Sequence, residues 1–460
     1  MATDFRKVLL ISSYAPPSLA GAPQFMYKLI STLPPESYTI LTSFYNIDNI
    51  SAKIGSWLPG EYIFYDSPGA TKAARQEKEI TPEEVSTNPT VKLKKFLRNT
   101  FLFPVWVKAP LSAAVKMDLV AQLKRLLKKN KLVKALLGAP LILGQIPLII
   151  REGCRIVKEK NIELIVGFSD YGPAMAATYY IHRSTKIPFY LYLFDLYKGN
   201  FYPLTGTLLA NWLEPRLIKS ASKIIVTNEG TKEFYRSRYG NKIVDKIIVL
   251  YNSTNPKPYL EPQTTFQPHL PYTIVFVGNI YWPQIRSIKN LIRAIDDMPD
   301  FDIRLKIYTP QPKEYLKSVG IDSSKLELSV VPNSEMPRIQ GQADILFLPL
   351  SWHTKGPDII NTATPGKLTE YMITGRPILI HAPASTFLVK YARDNHFAYI
   401  VDQEDIEELK TAIKRLLQDQ PLIDHLAHNA KATFFKYHNA DKNAATFHTL
   451  FLNNQNGQNQ

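Results

Sequence analysis

The sequence predicts an α/β protein built from two doubly wound parallel-sheet domains. Three observations carry that prediction. Short apolar runs alternate with helical patterns in both halves of the 460-residue chain, as βαβ units require. A stretch rich in Pro, Thr and Gln, 254–271, separates the halves and reads as a linker. The length suffices for two or three domains, and 45% hydrophobic with 21% charged residues is the composition of an ordinary globular chain.

In the first half, Val8–Ser12 reads as the opening strand. The loop from Tyr14 to Ala22, with Gly21 near its end, leads to a helix near Pro23–Leu33. Tyr38–Thr42 and Tyr62–Tyr65 are further strands, and Lys72 to Leu93 reads as a polar loop or excursion. Glu163–Phe168 is a buried strand, after which Ser169-Asp170-Tyr171-Gly172-Pro173 opens a helix. Pro188–Phe194 follows and ends in Asp195-Leu196-Tyr197. Ser222–Thr227 and Lys246–Leu250 close the series, the last running into Tyr251-Asn252-Ser253. The first domain is therefore expected over 1–253.

The second domain is expected over 272–440. Its strands are Tyr272–Val277, Ile303–Tyr308, Leu326–Val331, Ala343–Leu348, Pro377–Ile380 and Ala398–Val401. Helical patterns cover Ile285–Ile295, Asp405–Leu417 and Leu422–Phe435. A last helix is expected at 441–452, followed by a polar, disordered tail at 453–460.

Charge is unevenly placed. The net +15 gathers between Val91 and Ile150, where twelve Lys or Arg face one acidic residue, Asp118. Trp106 and three Phe residues interleave with them, and Leu119, Leu123, Leu126 and Leu127 recur at helical spacing. Such a basic amphipathic segment suits an anionic membrane surface; a solvated face over a Leu core stripe is the other reading. Nucleic acid is not expected as a partner, because no recognition motif accompanies the charge. The single cysteine, Cys154, excludes an intrachain disulfide and a cysteine zinc cluster, and is expected to be a buried, inert thiol. The N-terminal residues carry no signal-peptide pattern, and no run of about 18 apolar residues occurs. A cytoplasmic protein, peripheral at the inner membrane face through 91–150, is the expectation.

The chemistry concentrates in Thr364-Pro365-Gly366-Lys367-Leu368-Thr369-Glu370-Tyr371, closed by Gly375 and the strand at Pro377–Ile380. Thr364 reads as an N-cap, Pro365 as the first helical residue and Gly375 as the exit. A helix start offers free N–H groups and a positive dipole end to an anion. Lys367 in the first turn is unfavourable beside that dipole unless a phosphate sits there. Glu370, about one turn on, can accept from the vicinal hydroxyls of a ribose. The same spacing also describes an ordinary helix with a solvated Lys and Glu.

This segment resembles the donor-binding helix of retaining GT-B glycosyltransferases of family 4, in the variant Pro-x-Lys-x-x-Glu-Tyr. Ala343-Asp344-Ile345-Leu346-Phe347-Leu348-Pro349 resembles the strand before it. The opening loop with Pro16-Pro17, the Asp195-Leu196-Tyr197 strand end and Tyr251-Asn252-Ser253 resemble further family motifs. The resemblance implies two Rossmann-like domains facing a cleft, an acceptor-binding first domain and a nucleotide-sugar-binding second one. It implies a metal-independent, retaining, hexosyltransferase-type enzyme without a cofactor. Its donor would be a UDP or GDP sugar, and its acceptor a glycan or lipid-linked hydroxyl in cell-surface polysaccharide or glycolipid synthesis.

Residue by residue, the resemblance implies ribose on Glu370 and phosphates on Lys367, Arg286, Gly366, Pro365 and Thr364. Gly278, Asn279 and Gly21 would line the phosphates, with Lys289 able to compensate for the neutral Asn279. Asp195 and Thr362 would contact sugar or acceptor, and Asp195 could take the acceptor proton. Arg286 and Lys367 would serve catalysis by meeting leaving-group charge. Departures are visible: Thr362 replaces the family's first glutamate, Asn279 its arginine, and Ala22 and Ser253 two of its glycines. They favour the alternative, a degenerate GT-B scaffold that binds nucleotide, glycan or partner without transfer. His353 sits in the polar loop before Thr362, and Asp300-Phe301-Asp302 reads as a structural turn rather than a metal motif.

Overall fold

A computed structural model describes residues 5–18, 21–43, 57–67, 143–169, 173–199, 204–260, 270–354 and 356–452. The basic segment lies outside these residues as far as position 142, as do the expected polar excursion and the tail at 453–460. By their contacts, Met1–Val226, Tyr235–Ile248 and His448–Gln460 group as one unit, and Thr227–Phe234 with Val249–Phe447 as another.

The first unit carries strands β1 (Val8–Ile11), β2 (Tyr38–Thr42), β3 (Glu61–Phe64), β4 (Leu164–Phe168), β5 (Phe189–Leu193), β6 (Lys223–Val226) and β7 (Ile247–Val249) in one sheet of order β3-β2-β1-β4-β5-β6-β7. The ladders from β3 to β6 are all parallel. β1, β4 and β5 are buried along their whole length, which is why they read as continuous apolar runs rather than alternating ones. Helices α1 (Gly21–Ile30), α2 (Gln145–Glu159), α3 (Pro173–Thr185), α4 (Leu204–Ser220) and α5 (Glu229–Tyr239) connect them. Cys154 on α2 is half-buried, and burial raises its thiol pKa.

The second unit repeats the plan with β8 (Tyr272–Val277), β9 (Ile303–Tyr308), β10 (Leu326–Ser329), β11 (Ile345–Pro349), β12 (Ile378–His381) and β13 (Tyr399–Val401), ordered β10-β9-β8-β11-β12-β13 and all parallel. Its helices are α6 (Trp282–Asp296), α7 (Lys313–Ser318), α8 (Met336–Gly341), α9 (Pro357–Thr362), α10 (Lys367–Thr374), α11 (Phe387–Asn395), α12 (Ile406–Gln418), α13 (Gln420–Tyr437) and α14 (Ala440–Thr449). The period-2 pleat sorts each strand between two cores. Val275, Leu346 and Ile380 join Leu368, Tyr371 and Met372 of α10 on one face. Ile274, Phe347 and Leu379 join Ile288 and Leu291 of α6 and Ile413 of α12 on the other. The strand order reverses direction between β8 and β11, the place where open α/β sheets collect ligands.

Three expectations are refined. The start of the expected linker is anchored within the second unit. Thr254 is bonded to Thr369 across 2.7 Å, its N–H donates to the His438 carbonyl, and Tyr259 is buried in the α10-side core. The segment Thr227–Phe234 packs with the second unit although its neighbours on both sides pack with the first. The helix of the central motif starts at Lys367, not Pro365, with Gly366 rather than Thr364 at the cap position.

Candidate donor site

The site is built where β8 ends. Gly278 follows β8 with φ +113°, a conformation that side chains resist. A Cβ there would lie 2.8 Å from the Lys367 ammonium, so glycine is what lets that side chain lie across the strand end. The ammonium also sits 4.7 Å from the centre of the Phe276 ring, over its face. Burial lowers the Lys367 pKa to about 8, with Glu370 acting in the opposite direction. A desolvated cation at a helix start, with one carboxylate a turn away, is a place for an anion.

Glu370 and Tyr371 continue the same helix. Gln340 Nε2 donates to Glu370 Oε2 at 3.0 Å, leaving the other carboxylate oxygen for a ligand. Gln340 is fully buried, and its Oε1 has no partner among the described residues. The ladder between β8 and β11 pairs Ile274 with Ile345 and Val275 with Leu346. Beyond it, the Val277 N–H donates to Tyr371 Oη at 3.1 Å. The hydroxyl thus takes a strand N–H at the point where the sheet opens, and it fixes α10 against β8. Neither Gln340 nor Tyr371 was singled out as a site residue from sequence. Tyr371 has a signal in the motif itself; Gln340 has none, because α8 meets α10 only in the fold.

The other expected residues are placed as follows. Thr364 Oγ1 accepts from Asn228 at 2.9 Å instead of capping α10. Thr362 closes α9, and its hydroxyl donates to the Asp358 carbonyl at 2.8 Å, so it is taken by its own helix. Pro365 and Gly366 connect the two helices directly ahead of Lys367. Asn279 is exposed beside Gly278. Arg286 on α6 is half-exposed and ion-paired with Glu404, while its backbone N–H donates to Ser351 after β11. Glu404 also accepts from Asn290 and lies 3.7 Å from the exposed His353. Lys289 lies against Gly320, in the connection leading to β10. In the first unit, Gly21 opens α1, and a Cβ there would meet nothing among the described residues. Asp195 follows β5; it keeps exposed surface, yet the protein crowded around it raises its carboxyl pKa by desolvation. Asp302 ion-pairs with Arg304 at the start of β9.

Residues 271–419 match the family described as Glycosyl transferases group 1. No curated protein matches the chain in sequence. Among solved structures, a glycosyltransferase from Rickettsia africae superposes with a TM-score of 0.57 at 12% identity, covering 97% of this chain and 98% of that one. HepE of Anabaena, solved with UDP and glucose, gives 0.58 at 10% identity, covering 97% and 99%. WaaG, a glycosyltransferase involved in lipopolysaccharide biosynthesis, gives 0.54 at 12% identity, covering 96% and 99%. At these identities the likeness establishes the fold: two Rossmann-like α/β domains, the GT-B architecture.

Proposed function

We propose that the protein is a glycosyltransferase that moves a sugar from a nucleoside-diphosphate sugar to a hydroxyl of a glycan or lipid-linked acceptor. The observation that carries this reading is the meeting of the Lys367 ammonium, the start of α10 and the end of β8 at the strand-order reversal. The diphosphate would lie on Lys367 and on the N–H groups at the start of α10. The ribose would lie on the free oxygen of Glu370. The bond from the anomeric carbon to the diphosphate oxygen breaks, its electron pair leaves with the diphosphate, and the acceptor oxygen takes its place. Lys367 stabilises the charge that develops on the leaving oxygen. Arg286, exchanging Glu404 for the diphosphate, would add a planar cation. Asp195 is the proposed acceptor for the hydroxyl proton, a task that a raised carboxyl pKa suits. Retention of configuration, a hexose donor and metal independence belong to the same proposal.

UDP is the first nucleotide to try, because HepE, which shares the fold, was solved with it. Calorimetry with UDP, GDP and ADP on the whole protein tests the site. One of them should bind selectively, and Glu370→Ala and Lys367→Ala should each weaken it about tenfold or more, as loss of a charged hydrogen bond does. Unchanged binding in both variants removes the assignment. A second reading, a scaffold that binds donor without transfer, is favoured by the Thr362 hydroxyl being taken by α9. Donor binding without turnover on a panel of glycan and lipid-linked acceptors would support it.

A further inference from the structure

Asn228 belongs to no motif, yet its side chain holds the segment that launches α10. It is 1% exposed. Its Nδ2 donates to the Thr362 carbonyl at 3.0 Å and to Thr364 Oγ1 at 2.9 Å. Its Oδ1 accepts from the Thr231 N–H at 2.7 Å, capping the start of α5. The amide orientation is forced, since the Thr231 N–H can only donate and the Thr362 carbonyl can only accept. All of these residues lie in the second unit. We propose that Asn228 is a positioning residue for the diphosphate end of the donor site, acting through the 362–366 segment. This rests on the donor reading above.

Thr364 carries the segment's single polar side chain between α9 and α10, and Asn228 occupies it. The backbone beyond is tied down by Thr369, whose hydroxyl bonds the Gly366 carbonyl at 3.1 Å. The segment is thus held at both ends, one of them by Asn228. Without the amide, the Thr362 carbonyl is left buried without this partner, and the N–H groups at the helix start are free to drift. Phosphate binding by backbone N–H groups requires placement to a fraction of an ångström. A side chain that fixes the segment therefore acts on phosphate affinity, and on nothing at the base end of the nucleotide.

The amide's two tasks can be separated. Ser and Asp both cap helices well, but neither supplies an amide N–H pair, and Asp turns a carboxylate toward a carbonyl. In Asn228→Ser, UDP affinity should fall about tenfold, the loss of one to two hydrogen bonds, while uridine affinity stays at the wild-type value. Asn228→Asp should lose more. The donor kcat/KM should fall by the same factor as UDP affinity. NMR titration of UDP and uridine reads the difference; GDP and guanosine replace them if the nucleotide screen selects GDP. A purely structural role would instead weaken both ligands together and lower the melting temperature.

Thr364→Val leaves the α5 cap untouched and should weaken UDP as well; combined with Asn228→Ser, it should add less than its separate effect. If Asn228→Ser does not fold, Thr364→Val decides alone. Wild-type UDP affinity in the variants, or equal losses of UDP and uridine, overturns the proposal. If Glu370→Ala weakens UDP while Asn228→Ser does not, only this inference falls. If Glu370→Ala and Lys367→Ala both leave UDP binding intact, the donor reading falls and takes this one with it.

Discussion

Lys367 has a pKa lowered to about 8 by desolvation, and this makes pH a probe of the site. Its charged form is disfavoured in the fold relative to the unfolded chain, where lysine titrates near 10.4. The unfolded state therefore holds the proton more tightly, and the cost of burying the cation is present below about pH 8 and vanishes above the unfolded value. For this one group, stability rises with pH across that window. The proposed diphosphate binding would have the opposite slope, because an anionic ligand favours the protonated amine. UDP affinity should decline from about pH 8 upward, and Lys367→Ala should remove the decline; calorimetry at several pH values reads both. Gly278→Ala offers an independent check. Its Cβ would displace the ammonium and strain a backbone at φ +113°, so UDP binding should weaken in parallel with Lys367→Ala.

At the scale of the element, α10 shows what a sequence reveals and what it hides. Its exit is local chemistry. Gly375 sits at φ +75° in the left-handed region, as its place after an apolar-periodic helix suggests. Gly375→Ala should cost about 1–2 kcal/mol, the penalty for a side chain in that conformation, measured by denaturant titration. Its start is not local. Thr364 has the composition of an N-cap, but Asn228, more than a hundred positions away, claims its hydroxyl, and the helix begins two residues after Pro365. The strands were legible because both faces are buried, so their apolar runs are unbroken: β11 and β12 fall within two residues of expectation. The partners Gln340 and Asn228 were not, since each works through a contact made only when the sheet is assembled; Tyr371 is marked by the motif, but its bond to the Val277 N–H is not. Leu346, fully buried on the α10 face of β11, should cost about 2–5 kcal/mol on Leu346→Ala.

At the scale of the whole molecule, most of the net charge lies in the segment between Val91 and Ile150. Among the described residues, no helix is long and apolar enough to cross a membrane. Attraction to anionic lipid through that segment is a proposal with a simple check: sedimentation with phosphatidylserine vesicles should be strong at low salt and fade as ionic strength rises. Binding that is absent at both salt levels would remove it. Within the first unit, the Arg6 N–H donates to the Phe451 carbonyl, Phe5 bridges Leu452, and the His448 ring lies 3.1 Å from the Leu29 carbonyl. Phe451 is fully buried there. Phe451→Ala should cost about 3–5 kcal/mol and lower one calorimetric transition, that of the first unit, more than the other.

That attachment also bears on the order in which the protein is made. Synthesis runs from residue 1 upward, and domains tend to fold as units while the chain emerges. The second unit is complete once Phe447 has left the ribosome, whereas the first still awaits Phe451 and Leu452. The half begun first is thus closed last: a chain cut after Phe447 would keep every residue of the second unit and lack the contacts that close the first.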